Sequence, residues 1–198
     1  MSVASEEVRD LQSTYQGLVT DLESELQQGA IEIEQLRSGL RLAVSDEILF
    51  ASGSATLDPG GVDLLNKVAA NINKLDYAID VEGHTDNIAI RGVLKKRYPS
   101  NWELAGARAS SVVRLLERAG IDGDRLKAIS RASHAPVASN DDEDGRSMNR
   151  RIEILLRPQE HTNLIPAAVD EDAPSSHADL PLDGGNAEPQ VAPASPRP

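Results

Sequence analysis

The sequence lacks cysteine altogether and has very few aromatic residues. Its 198 residues include three Tyr, one Phe and one Trp. Without cysteine the chain can form neither a disulfide framework nor a thiolate metal site. Cysteine usage therefore does not indicate whether the protein works in an oxidising or a reducing compartment. Aliphatic side chains must therefore supply almost all of the hydrophobic core, and the length allows one ordinary domain with extensions.

Basic residues are also scarce, and their distribution bears on possible partners. The net charge is −12. Residues 1–46 hold nine acidic and three basic residues, residues 158–198 hold seven and one, and the middle of the chain is neutral. Because nucleic-acid binding needs a basic face, we expect no nucleic-acid partner. The two acidic arms are more typical of solvent-exposed segments than of a binding site.

The N-terminal arm, residues 1–45, has a coiled-coil-like pattern. Its apolar positions follow a 3-4-3-4 spacing: Val8, Leu11, Tyr15, Leu18 and Leu22. This spacing is typical of a coiled-coil seam, and it predicts one long helix over residues 6–44. So narrow an apolar stripe favours pairing with a second copy over packing on the chain's own domain, with a frayed linker helix as the alternative. We therefore expect a homodimer.

The C-terminal arm, residues 158–198, has the composition of a disordered tail. It contains eight of the eleven prolines, many alanines and acids, and no aromatic residue. Such a segment cannot bury enough apolar surface to offset the entropy of ordering it. Disorder is the prediction for this arm.

The middle of the chain alternates strand and helix patterns. The predicted elements are a strand at 44–50, a helix at 61–75, a strand at 78–82, a helix that begins at Ser100, and strands at 125–129 and 152–156. Ser100 followed by Glu103 forms a capping box, which marks that helix start. The order β-α-β-α-β-β predicts an α+β two-layer sandwich. In it two main helices pack on a mixed four-stranded sheet, and a long helix precedes them.

Two charged residues stand out beside these elements. Asp86 lies in the loop after the 78–82 strand, and Arg108 lies beside the apolar stripe of the following helix. A guanidinium in that position must reach solvent or find an anion. Asp86 and Arg108 either pair with each other, or they form a receptor whose carboxylate takes an ammonium and whose guanidinium fork takes a carboxylate. Residue spacing leaves both interpretations open.

Enzymatic and metal chemistry fit the sequence less well. Glu82, His84 and Asp86 are close in sequence and His134 could converge on them, but no second histidine follows at i+4 and no nucleophile elbow is present. The acidic run at 140–145 lacks the ligand spacing of a calcium loop. We expect that the protein is not an enzyme and binds no metal or cofactor. His84 is expected to be a structural histidine that forms a hydrogen bond with the backbone of a loop.

Four motifs carry a family resemblance, and they occur in order: Gly83-His84-Thr85-Asp86, Asn101-Trp102-Glu103-Leu104 leading to Arg108-Ala109, Gly145-Arg146, and Asn149-Arg150-Arg151-Ile152-Glu153. Over residues 46–157 the chain resembles the OmpA-like peptidoglycan-binding domain family. One segment is most similar to the MotB branch of this family, the flagellar stator B subunits and their relatives. Its sequence is Tyr98-Pro99-Ser100-Asn101-Trp102-Glu103-Leu104.

The resemblance implies a wall-binding module and a set of site residues. Asp86 would hold the ammonium of stem-peptide diaminopimelate and Arg108 its carboxylate, while Asn101 would line the pocket. Thr85, Asn149 and Arg150 are further implied ligand-binding positions, although the last two could instead tie the final strand to the loops. The resemblance also implies a periplasmic location and a membrane anchor ahead of residue 1. The alternative is a dimerising envelope scaffold that keeps the fold without wall binding.

Two features modify this expectation. Many relatives have Gly-Tyr or Gly-Phe where this chain has Ser130-Arg131. We expect that difference to alter the backbone near the pocket rim and to add charge there. The connection at 87–97 is basic, and it is either a solvated loop or a weak contact for acidic wall polymers or a partner.

Overall fold

The structure is a computed structural model that describes residues 3–37 and 39–158. The predicted disordered tail, from residue 159 onward, lies outside the described residues. The helices are α1 (Val3–Asp21), α2 (Glu23–Gln27), α3 (Asp46–Leu49), α4 (Pro59–Ile72), α5 (Leu94–Arg97), α6 (Asn101–Arg118) and α7 (Glu143–Asn149). The strands are β1 (Ile31–Leu36), β2 (Gly39–Ser45), β3 (Tyr77–His84), β4 (Leu126–Ala132) and β5 (Arg151–Pro158). A 3-10 turn covers Gly123–Arg125.

The strands form one mixed sheet in the order β1-β2-β5-β3-β4. β3 and β4 run parallel, and the other neighbouring pairs are antiparallel. The α+β class is confirmed, but the prediction of four strands is wrong because the sheet has five. The fifth strand comes from the N-terminal arm.

The predicted helix over residues 6–44 is wrong beyond residue 27. Gly29 has a left-handed φ of 67°, and after it β1 and β2 form a hairpin. In this segment apolar and charged residues alternate, as in Ile31-Glu32-Ile33-Glu34 and in Leu40-Arg41-Leu42. A period of two places all apolar side chains on one face of a strand, which no helix can do. The predicted strand at 44–50 is accordingly the end of β2 followed by α3.

The leucines of α1, and Leu22 directly after it, pack on the chain's own domain. Leu11, Leu18 and Leu22 are buried in the main core together with residues of α4 and the sheet. Close approach to α4 is possible because Gly17 faces Asn71, whose side-chain oxygen would lie 2.4 Å from an added Cβ. The preference for a coiled-coil seam over packing on the domain is therefore wrong. The leucine stripe is the same in both arrangements, and only the partner differs.

The core lies between the sheet and helices α4 and α6. Its members include Val68 and Ile72 of α4, Val112 and Leu116 of α6, and the inward-facing residues of β3 and β5. Among the described residues, no helix is both long and apolar enough to cross a membrane.

Gly83 fixes the position of α6 on the sheet. A Cβ at Gly83 would lie 2.2 Å from the carbonyl oxygen of Ala105, so only glycine permits this approach. The predicted capping box at Ser100 and Glu103 is present and begins α6 beside the end of β3. Arg108, one turn after Ala105, is consequently held beside the loop that follows β3.

Candidate functional site

A cleft of about 660 Å³ opens beside the loop that follows β3. Its other walls come from α3 and the segment after it, the first half of α6, and the residues around α7. We call it the mixed-charge cleft because five carboxylates and three guanidinium groups line it: Asp46, Glu47, Asp58, Asp86 and Glu143, with Arg91, Arg108 and Arg150.

Arg108 is buried, and contacts within the protein orient its guanidinium group. It is 4% exposed, and its Nη1 donates to Oδ2 of Asp46 over 2.6 Å. Its Nε donates to the carbonyl oxygen of Ser54 over 2.9 Å, and the guanidinium lies 5.2 Å from the ring centre of Phe50. Nη2 has no hydrogen-bond partner within residues 3–37 and 39–158. The protein thus orients the fork through two nitrogens and leaves the third available to a ligand.

Asp46 is a site residue that the sequence did not point to. It begins α3, directly after a strand, and it is buried. Burial raises its pKa, while the charges of Arg108 and Arg150 oppose that rise. Its Oδ1 is buried and makes no hydrogen bond to any described residue. An acidic residue just after a strand with alternating apolar and polar residues is only a weak sequence signal for a binding site. The arginine that pairs with Asp46 lies 62 positions away in the sequence.

Asp86 pairs with Arg150 and not with Arg108. Oδ2 of Asp86 accepts a hydrogen bond from Nη1 of Arg150 over 3.0 Å, and Oδ1 accepts one from the backbone N–H of Ile88 over 2.9 Å. Arg150 also donates to Glu143 and to Glu47. The interpretation of Asp86 and Arg108 as partners of each other is therefore wrong. Each has its own counter-charge, and both face the same cleft.

Thr85 and Asn101 shape the loop that carries Asp86. The Thr85 hydroxyl donates to the carbonyl oxygen of Asp86 over 2.9 Å, and its backbone N–H donates to the carbonyl of Ala132 over 2.8 Å. Nδ2 of Asn101 donates to the carbonyl oxygens of Asp86 and Ile88, over 3.2 and 3.1 Å. Both residues also line the cleft. They fix the backbone of the loop that presents the carboxylate of Asp86.

Asn149 lies away from the cleft. It is fully buried, and its Oδ1 accepts hydrogen bonds from the backbone N–H groups of Val137 and Ala138. Its Nδ2 donates to the carbonyl of Ala138 and to Oδ1 of Asn140. The structure therefore places five of the six implied residues around one cleft. Asn149 instead ties the start of β5 to the preceding loop.

Ser130 and Arg131 do not reach the rim of the mixed-charge cleft. The Ser130 hydroxyl donates to the carbonyl oxygen of Trp102. Arg131 forms two hydrogen bonds of 2.8 Å with Glu82 on the face of the sheet away from the helices. The expectation of added charge at the pocket rim is wrong, because the side chain of Arg131 pairs with Glu82 on the other face of β4. The expected change of the backbone near the rim stays a prediction.

On that same face, Glu82, His84 and Glu153 present ligand atoms within 4.8 Å of one another. Arg131 already pairs with Glu82, and Arg41 and Arg151 pair with Glu153. No excess negative charge remains to attract a cation. Burial lowers the pKa of His84 to about 4, so its ring is neutral near pH 7. Neither ring nitrogen has a hydrogen-bond partner among the described residues, so the predicted bond to loop backbone is wrong.

Comparison with known proteins gives consistent matches. Residues 49–150, just over half of the chain, match the OmpA family. Motility protein B of Bacillus subtilis is 32% identical over 157 residues, which is 78% of this chain and 58% of that protein. Peptidoglycan-binding protein ArfA of Mycobacterium tuberculosis is 31% identical over 122 residues, or 61% of this chain and 35% of that protein.

Solved structures show the same fold. The cell wall anchor of the T6SS from Pseudomonas aeruginosa superposes with a TM-score of 0.66 at 33% identity, covering 72% of this chain and 97% of that one. A MotB-like protein from Desulfovibrio vulgaris has a TM-score of 0.70 at 26% identity, covering 80% and 100%. The chain spans only about a third to a little over half of the curated relatives described above.

Proposed function

The chain belongs to the OmpA family, and from this membership we propose that it binds peptidoglycan non-covalently through the mixed-charge cleft. The ligand would be the diaminopimelate of the stem peptide. Family domains of this kind are binding modules and not enzymes. The observation that carries the proposal is the guanidinium of Arg108, which Asp46 and Ser54 orient while its Nη2 stays open to the cleft.

Arg108 would recognise the side-chain carboxylate of diaminopimelate. A guanidinium fork binds a carboxylate through charge-assisted hydrogen bonds of defined geometry. Because Arg108 is already fixed by two contacts, it loses little side-chain entropy when the ligand arrives. Its burial also keeps water from competing for the ligand carboxylate.

Asp86 would recognise the ammonium group. Each of its oxygens has one protein donor, and a carboxylate oxygen can accept a second hydrogen bond. Asp46 also lines this cleft, but its carboxylate is offset by Arg108 and by Arg150, whose Nε lies 3.9 Å from Oδ1. The ammonium and carboxylate of one ligand end would thus meet Asp86 and Arg108, respectively.

The remaining implied residues would act on these two. Arg150 limits the negative charge around Asp86, and Asn101 and Thr85 hold the loop that presents it. Asn149 would serve binding only indirectly, through the loop at 137–140.

The wider setting follows from the relatives. The similarity to motility protein B and to a cell wall anchor supports a periplasmic, cell-envelope location. We propose that the natural protein is attached to a membrane by a segment outside these residues and that it acts as a MotB-like anchor, as a homodimer. Because α1 packs on its own domain, self-association would use surfaces other than its buried leucines.

The test is co-sedimentation with purified sacculi that contain diaminopimelate. We expect the wild-type chain to pellet with them. Arg108→Lys should lose binding by about 1.5–3 kcal/mol, since lysine keeps the charge and loses the fork. Asp86→Asn should do likewise, because it removes the negative partner of the ammonium with little change of shape.

Thermal melting of the same proteins separates binding from stability. Folded variants that pellet as well as the wild type would overturn the receptor role of Asp86 and Arg108. A wild-type chain that stays in the supernatant would instead favour the envelope scaffold without wall binding.

A further inference from the structure

A second cleft, also of about 660 Å³, lies between α6, the segment at 55–62 and the end of α5. We call it the arginine cleft because Arg97, Arg114 and Arg118 line it together with the hydroxyls of Thr56, Ser110 and Ser111. No carboxylate lines it, whereas five line the mixed-charge cleft.

The three arginines converge from two elements. Ser111, Arg114 and Arg118 follow one another at i, i+3 and i+7 along α6, so they share one face of the helix. Nη2 of Arg114 donates to the Ser111 hydroxyl over 2.9 Å. Arg97 ends α5, and its guanidinium lies 5.4 Å from the ring centre of Tyr98.

The charges of these guanidinium groups are not neutralised by ion pairs in the described structure. None of the three forms an ion pair with any residue in the ranges 3–37 and 39–158, although the chain as a whole carries −12. Arg118 complements the helix dipole in the last turn of α6, but that explains neither Arg97 nor Arg114. Three like charges around one concave surface produce a positive potential that attracts anions.

The donor set suits a tetrahedral oxyanion better than a carboxylate. A carboxylate has two oxygens and satisfies one guanidinium fork. A phosphate monoester has three free oxygens and up to two negative charges, and a phosphodiester polymer presents a charged pair of oxygens at every repeat, so either can engage several forks and a serine hydroxyl together.

We propose that the arginine cleft binds phosphate groups, and that in the cell these belong to a phosphate-bearing wall polymer. The polymer part of this proposal depends on the wall binding proposed above. The two clefts share a buried apolar cluster, in which Ala55 and Tyr98 line the arginine cleft and Leu104 lines the mixed-charge cleft. A chain held at the wall by the mixed-charge cleft would therefore bring the arginine cleft to neighbouring anionic groups.

The phosphate site itself is tested by calorimetric titration with inorganic pyrophosphate at constant ionic strength. The triple variant Arg97→Gln/Arg114→Gln/Arg118→Gln should bind about tenfold more weakly than the wild type, or weaker still. The matched control is Arg9→Gln/Lys74→Gln/Lys127→Gln, which removes the same charge from exposed sites outside both clefts. If the two triple variants lose affinity equally, binding reflects net charge alone and the site is refuted.

The source of the phosphate is tested with sacculi before and after hydrofluoric acid treatment, which cleaves phosphodiester-linked polymers. The wild type should pellet less well with the treated sacculi, and the arginine triple variant should be insensitive to the treatment. Arg108→Lys should weaken pelleting on both preparations if the proposed function is right. Equal wild-type binding to both preparations, together with pyrophosphate binding, would mean that the cleft serves a soluble phosphate compound and would overturn the polymer assignment.

Discussion

The packing of α1 on its own domain leads to a quantitative prediction for Leu18. This side chain is fully buried, in a core that includes residues of α4 and the sheet. Replacing a buried leucine by alanine removes its transfer free energy and leaves a cavity, at a cost of about 2–5 kcal/mol. That is a large part of the roughly 5–15 kcal/mol by which such domains are stable. Leu18→Ala should therefore lower Tm by many degrees.

The assay is chemical denaturation, followed by circular dichroism, with Val8→Ala as the matched control. Val8 lies on the same helix but is 66% exposed, so its truncation should change stability by no more than about 0.5 kcal/mol. Sedimentation of both variants should give the same oligomeric state as the wild type. If Leu18→Ala melted like the wild type and instead weakened self-association, α1 would be a coiled-coil helix and its assigned packing would be wrong.

Two further predictions concern the sheet. Gly83→Ala should destabilise the protein by about 1–3 kcal/mol or more, because its Cβ would overlap the carbonyl oxygen of Ala105, whereas Gly106→Ala has room and should raise Tm. Burial lowers the pKa of His84 to about 4, so the unfolded chain binds this proton first as the pH falls. Stability should therefore decline from about pH 6.5 to pH 4, by an amount on the order of 3 kcal/mol. His84→Leu should abolish that part of the slope in urea titrations. An unchanged slope, or a Gly83→Ala protein as stable as the wild type, would contradict these assignments.

Local sequence patterns correctly predicted the parts of the fold that depend on interactions between residues close in the sequence. The capping box at Ser100 and Glu103 satisfies backbone donors within one turn, so its sequence signature is sufficient. The hairpin at 31–45 was missed because the leucine spacing of α1 was extended past Gly29, where the period changes from helical to two. The packing of Leu18 could not be predicted, because an apolar stripe does not specify which surface covers it.

In the candidate site, too, local sequence predicted some features, and others depend on residues that are distant in the sequence. Motif residues at the end of β3 and the start of α6 are close in sequence, and their convergence could be expected. The partners of Arg108 and Asp86 lie 62 and 64 positions away, at Asp46 and Arg150. Such pairings depend on strand order, which a single sequence does not reveal. Arg131 was placed at the rim for the same reason, since the face on which β4 presents it depends on the register with β3.

The central claim is that Arg108 binds the side-chain carboxylate of diaminopimelate. Diaminopimelate differs from lysine only by that carboxylate. The most direct measurement is calorimetric titration with two stem tripeptides that are identical except for diaminopimelate or lysine at the third position. We expect the diaminopimelate peptide to bind about 10- to 150-fold more tightly, which corresponds to a charge-assisted contact of roughly 1.5–3 kcal/mol. In Arg108→Lys this preference should shrink sharply. Equal affinity of the wild type for the two peptides would contradict recognition of the carboxylate by Arg108.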